Sequence, residues 1–251
     1  MYTLAVISDI HANLVAYDAV MEHIRVNFPE ISEILCPGDL VGYGPKPREV
    51  IEAIVNDQQV LAITKGNHDH AIGGGGRDLE NIDTYVAKFN PLAQIAIRWQ
   101  VSLLSEELKT FLYQLPHTRT CLHHSEANAQ IGIIHGSPNF PLDEYILPNT
   151  PAQMALFPFM QLIEINVLLL GHTHIPFIDK ATADDIELLM INPGSVGQPR
   201  DKDPRASFAV IDLKNMKAEI IRVEYDIDKV NDQITKAGLP EFLGERLSKG
   251  I

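Results

Sequence analysis

Two short pairs, Asp9-Ile10-His11 and His172-Thr173-His174, each set two metal-competent side chains two positions apart. Where a strand stays extended through such a pair, both side chains project to one side. Asp39, Asn67 and His135 lie between the pairs, each just after a run rich in Val, Ile and Leu. Carboxylate, imidazole and amide oxygen without thiolate make a ligand set that suits Mn, Fe or Zn and does not select zinc. Each piece alone is a weak signal. A histidine at a strand end is more often a hydrogen-bonded structural residue, and Gly66-Asn67-His68-Asp69 has the composition of a turn. Five strand ends carrying competent ligands in order are more specific. In open α/β sheets, ligands bind beyond the carboxyl ends of strands, where a site assembled from distant segments must lie.

The elements that must position these residues alternate between apolar runs and helical patterns. Residues 4–7 are apolar and stop at Ser8-Asp9; Leu14, Ala16, Ala19, Val20, His23 and Ile24 then supply one helix face up to Pro29. Residues 31–36 read as the next strand, closed by Pro37-Gly38-Asp39. Pro47 suits the first turn of a helix whose apolar face holds Val50, Ile51, Ile54 and Val55. Residues 60–64 give a third strand closed by Lys65-Gly66-Asn67, so the chain opens as βαβαβ. A cover segment over about 81–115 reads as two helices. Its stripe of Leu92, Ile95, Ala96, Trp99, Leu103 and Leu104 reads as core; if exposed, it would suggest a homo-oligomer face. Residues 118–122 and 130–135 pair as a hairpin through a polar turn at 126–128. A helix covers 151–163, and 167–170 form a buried strand ending at Gly171-His172. Short strands at 177–180, 187–191, 207–212 and 218–224 suggest a mixed or antiparallel second sheet. A terminal helical segment over 226–249 breaks near Gly238-Leu239-Pro240. No repeat or linker interrupts the chain, so 1–251 reads as one domain.

Composition bounds what such a site can serve. With 33 acidic against 20 basic residues, the net charge is -13. That surface repels long nucleic acid unless a basic stripe compensates, and the densest basic stretch, Arg200 to Arg205, is interleaved with Asp201 and Asp203. Bound divalent cations reverse the field inside a cleft, so small anionic substrates remain compatible. Cys36 and Cys121 lie in apolar or strand-like surroundings and are expected to be reduced. The longest apolar run, near residues 167–171, is far below the ~20 residues of a membrane span. The expected location is the cytoplasm, with no membrane partner.

Taken in order, Asp9-Ile-His11, Gly38-Asp39-Leu-Val-Gly42, Gly66-Asn67-His68-Asp69, Ile134-His135-Gly136 and Gly171-His172-Thr-His174 resemble the blocks of calcineurin-like metallophosphoesterases. The match spans residues 4–197. The resemblance implies an α/β fold, a four-layer α/β/β/α sandwich of two mixed β-sheets flanked by helices, with a dinuclear site at one edge. It implies two divalent metal ions (Mn, Fe, Zn or Ni), the first on Asp9, His11 and His174, the second on Asn67, His135 and His172, with Asp39 bridging both. A bridging water of lowered pKa would be the nucleophile. Asn67 would also face substrate, His68 would contact phosphate and protonate the leaving oxygen, and Asp69 would orient His68.

Departures narrow the resemblance. Protein Ser/Thr phosphatases carry Asp and Arg where this chain has Gly42 and Tyr43, and purple acid phosphatases place a metal-binding tyrosine where Gly42 stands. What remains resembles compact prokaryotic phosphodiesterases, including diadenosine tetraphosphatase-like members. Residues 192–200 look like the loop after the last site strand in that group, and Arg200 is a candidate substrate-phosphate donor, although Asp201 is beside it. Residues 73–76 are not a P-loop, since no Gly-Lys-Ser/Thr follows. His123 and His124 read as solvated hairpin residues; Asp143-Glu144-Tyr145 reads equally as pocket lining or plain loop. The expected activity is metal-dependent hydrolysis of small phosphodiesters, phosphomonoesters or dinucleoside polyphosphates. The alternatives are a metal-dependent nuclease or a non-catalytic scaffold; the filled ligand places and His68 weigh against the scaffold.

Overall fold

The computed structural model describes residues 2–74, 82–124 and 128–251. Residues 126–127 of the expected turn, the second half of the 73–76 glycine run, and the side chains of Cys121, His123 and His124 lie outside the described residues. In chain order the first half comprises β1 (Thr3–Val6), α1 (Leu14–Asn27), β2 (Ile34–Cys36), α2 (Pro47–Asn56), β3 (Val60–Ile63), α3 (Asn67–Gly73), α4 (Ile82–Val86), α5 (Pro91–Leu103) and α6 (Glu106–Gln114). The second half comprises β4 (Thr118–His124), β5 (Ala129–Ile134), α7 (Pro151–Met154), α8 (Leu156–Leu162), β6 (Val167–Leu169), β7 (Phe177–Ala183), β8 (Ile186–Asn192), β9 (Ala206–Asp212), β10 (Lys217–Val223), α9 (Ile227–Lys236) and α10 (Phe242–Glu245), then a 3-10 turn at Leu247–Lys249.

The opening βαβαβ makes β1, β2 and β3 parallel, and β9 and β10 add antiparallel on the far side of β1, in the order β10-β9-β1-β2-β3. The second sheet runs β4-β5-β6-β8-β7, with β5, β6 and β8 parallel between antiparallel edges. Alternation along β1 assigns the layers: Leu4 and Val6 face the second sheet, packing with Ile131, Ile133, Val167 and Leu169, whereas Ala5 and Ile7 face the helices. Leu156, Phe157 and Met160 cover the outer face of the second sheet against Leu168, Leu170 and Met190. The result is the expected α/β/β/α sandwich of two mixed sheets.

Local chemistry divides the cover differently from the two helices expected. Asn90 caps Ala93 N with Pro91 at the first helical position, and Ser105 caps Leu108 N, so three short helices form. Ala96 and Leu104 of the apolar stripe are buried, while Ile95 and Leu103 stay exposed. The helix expected over 151–163 splits at Ala155, because Pro158 lacks an N–H and its ring displaces the carbonyl four residues back, Met154. Cys36 is a buried free thiol. Among the described residues, no helix is long and apolar enough to cross a membrane.

Candidate metal centre

The carboxyl ends of β1, β2, β3, β5 and β6 meet along one edge of the sandwich and bring Asp9, His11, Asp39, His68, His135, His172 and His174 together, all buried. Extended backbone is not what aims the two pairs. β1 ends at Val6, and Asp9, His11, His172 and His174 take left-handed φ of 53°, 49°, 69° and 59°; Asp39 does the same at 55°. Such conformations cost roughly 1–3 kcal/mol each and persist where the surroundings over-determine them. Here they are over-determined by loop-to-loop hydrogen bonds. Asp9 N donates to Gly38 O at 3.0 Å, His11 N to Asp39 O at 3.0 Å, and Gly197 N to Asp9 O at 3.0 Å.

Three imidazoles are oriented identically. His11, His135 and His174 donate from Nδ1 to the carbonyls of Val41 (3.0 Å), Pro37 (2.9 Å) and Gln198 (2.6 Å). A carbonyl only accepts, so Nδ1 holds the proton and Nε2 turns a lone pair inward. The Nε2 atoms of His11 and His174 then stand 3.0 Å apart, with Asp9 Oδ1 at 3.2 Å from His174 Nε2. Asp39 splits its oxygens: Oδ1 accepts His68 N at 2.9 Å, and Oδ2 lies 3.6 Å from His11 Nε2 and 3.4 Å from His135 Nε2. Asn67 Oδ1 lies 3.2 Å from His135 Nε2, and His172 Nε2 is buried without a hydrogen-bond partner among the described residues. Buried lone pairs and carboxylates converging on one point repel one another unless a cation lies among them, so this donor set fits hard-to-borderline divalent metals.

The ionisation pattern agrees. Burial opposes charge on Asp9 and Asp39, yet the surrounding histidines outweigh it and hold both carboxyls well below the usual range. Burial depresses His11 and His174, and takes His172 to about 3 and His68 to about 4. For His135 burial is outweighed by the charge of Asp39, which raises it to about 9.

Asp69 does not contact the His68 ring as expected. Its Oδ2 accepts Asp39 N (2.9 Å) and Gly66 N (3.0 Å), and its Oδ1 accepts Leu40 N (2.9 Å) and Val41 N (3.2 Å). The expected turn at Gly66-Asn67-His68-Asp69 is the start of α3, with Asp69 closing its first turn. A cleft of about 290 Å³ opens above the site, lined in part by Asn67, His68, Lys88, Asp143, Tyr145 and Arg200. Arg200 Nη2 donates to Gln198 Oε1 at 2.9 Å, and its guanidinium lies 5.6 Å over the Tyr43 ring. The neighbouring Asp201 pairs with Arg222 instead.

Tyr145, which sequence left open between pocket lining and plain loop, lines the cleft and stacks on His172 (centroids 3.9 Å apart, planes at 27°); sequence reasoning gave no site role to buried Tyr43, to Ser195, whose hydroxyl donates to Asp9 O at 2.7 Å, or to Gln100. Ser195 and Gln198 sit in the 192–200 loop that sequence singled out; Gln100 carried no local signal.

This architecture and ligand set define a metal-binding phosphoric ester hydrolase. The chain belongs to the calcineurin-like phosphoesterase superfamily, whose domain description matches residues 2–216. It is 38% identical over 259 aligned residues to an uncharacterised protein of Methanocaldococcus jannaschii, covering 98% of each chain. A metallophosphoesterase structure from Sphaerobacter thermophilus is 33% identical with a TM-score of 0.76, covering 99% of this chain and 100% of that one. A hypothetical protein structure from Pyrococcus horikoshii OT3 is 28% identical with a TM-score of 0.86, covering 100% and 99%.

Proposed function

We propose that this protein hydrolyses small phosphoesters at a dinuclear centre in which Asp9, His11 and His174 hold one divalent cation, Asn67, His135 and His172 hold the other, and Asp39 is shared. The observation that carries this reading is the placement of Asp39 Oδ2 between His11 Nε2 and His135 Nε2, while Oδ1 is committed to His68 N. Two divalent cations there would supply Lewis acidity and lower the pKa of an attacking water. Asn67 and Arg200, both lining the cleft, would orient the phosphoryl oxygens, Arg200 by a charge-assisted hydrogen bond. His68, on the cleft wall, would hand a proton to the leaving oxygen from its imidazolium form, which burial disfavours in the free site and the charge of a bound phosphate favours. A cleft of about 290 Å³ and a net charge of -13 favour small phosphodiesters, phosphomonoesters or dinucleoside polyphosphates over long nucleic acid.

The test is a chelator-stripped sample re-loaded singly with Mn, Fe, Zn, Ni or Mg and assayed on monoesters, diesters, cyclic nucleotides and dinucleoside polyphosphates. Activity should follow metal content up to two equivalents per chain. Full activity in stripped protein overturns the reading, and activity confined to long DNA or RNA replaces it with a nuclease.

A further inference from the structure

We propose that Gln100 is a positioning residue for His68, acting through the turn at residues 42–44; this rests on the reading of His68 as the proton donor to the leaving group. His68 is only 3% exposed, and among the described residues its Nδ1 has no hydrogen-bond partner. The carboxylate that follows it in sequence, Asp69, is committed to four backbone amides. Its ring is therefore held by contact alone, with Tyr43 at 4.6 Å, Phe89 at 4.8 Å and His11 at 4.9 Å between centroids. Gly42 forms the floor: a Cβ there would fall 2.2 Å from His68 Nδ1, so only glycine leaves the ring its place, and φ of 92° independently favours glycine.

The floor is itself suspended. Gly42 and Tyr43 are both left-handed, and the Gln100 amide spans them, with Oε1 accepting Gly42 N at 2.8 Å and Nε2 donating to Gly44 O at 2.8 Å. Gln100 is fully buried in α5, and Asn90 at the head of that helix donates to the Tyr43 hydroxyl at 3.2 Å. The cover helix thus grips the turn at three points and fixes the two surfaces, Gly42 and Tyr43, that set the plane of His68. One side chain must both accept and donate across the turn, which a carboxamide does and an apolar residue of equal size does not.

Leaving-group dependence separates this role from a merely structural one. The assay compares a diester with an activated leaving group, bis-p-nitrophenyl phosphate, and one with a poor alkoxide leaving group, in metal-loaded enzyme. Gln100→Met is expected to slow the poor substrate about 10- to 100-fold, as small misplacements of a catalytic group do. It should spare the activated substrate, KM and metal content. In a His68→Ala background it should add nothing. Asn90→Ser keeps a capping oxygen for α5, removes only the amide contact with Tyr43, and should give a weaker loss of the same selectivity. Equal slowing of both substrates by Gln100→Met, or a loss that multiplies with His68→Ala, overturns the proposal. Should Gln100→Met not fold, Asn90→Ser decides alone, and equal rates on the two substrates relative to wild type overturn it. If His68→Ala itself ignores the leaving group, the acid role fails first and this inference with it.

Discussion

Asp69→Asn changes one atom and distinguishes a carboxylate that aims a catalytic ring from one that braces backbone. Four buried amides point at Asp69: Asp39 N and Gly66 N at Oδ2, Leu40 N and Val41 N at Oδ1. Burial and the charge of Asp39 raise the Asp69 carboxyl to about 7 against the opposing amide donors from Gly66 and Val41, and four N–H donors can be accepted together only by its ionised form. An ionised carboxylate accepts at both oxygens, whereas a carboxamide accepts at one and donates at the other. In either orientation asparagine leaves one pair of backbone donors facing an NH2. At about 1–3 kcal/mol for each buried donor left unsatisfied, two of them cost about 2–6 kcal/mol. Domains have only about 5–15 kcal/mol in total. The assay is urea denaturation followed by the fluorescence of the single tryptophan, Trp99, with chelator present so that metal binding adds nothing. At a slope of about 2–3 kcal/mol per molar, the midpoint should fall by about 0.7–3 M with the slope unchanged. A midpoint within about 0.2 M of wild type would refute the bracing argument. If the same variant showed the leaving-group dependence of His68→Ala, the carboxylate would act on the ring after all.

Two further outcomes follow from the same geometry. Asp39→Asn should lower the bound metal from two equivalents to less than one by elemental analysis, because one oxygen faces both histidine groups; retention of one full equivalent would argue against a shared ligand. Arg200→Ala should cut kcat/KM about 10- to 100-fold, the worth of one charge-assisted hydrogen bond, with metal content intact; an unchanged kcat/KM would remove Arg200 from the substrate site.

The strand ends were legible because buried parallel strands read as unbroken apolar runs. Residues 4–7 and 167–170 stop abruptly at Ser8 and Gly171, and a polar residue at such a stop has only the sheet edge to occupy. The ligand pairs were legible for the wrong reason. Spacing of two suggested an extended strand, yet convergence comes from left-handed residues fixed by neighbouring loops, a tertiary effect with no local pattern. α3 was hidden because a seven-residue helix beginning Asn-His-Asp offers too few periodic apolar positions to be told from a turn. Gln100 was hidden because its partners lie 56 and 58 residues away, and on its own helix it is one polar residue in an apolar stripe.

The candidate metal ligands are held by the contact between the sheets, not by either sheet alone. His135 follows β5 of one sheet, but its ring is fixed by the carbonyl of Pro37, which follows β2 of the other. His172 follows β6, and its backbone N–H is received by Asp9, which follows β1, at 3.2 Å. His11 and His174 meet Nε2 to Nε2 across the same seam. Each sheet contributes an incomplete set of donors, and the Leu4, Val6, Ile131 and Ile133 layer that joins the sheets sets the distance between the halves. Close-packed interiors transmit small volume changes. The spacing of lone pairs at the edge is therefore fixed by hydrophobic packing well inside the sandwich, before any cation arrives.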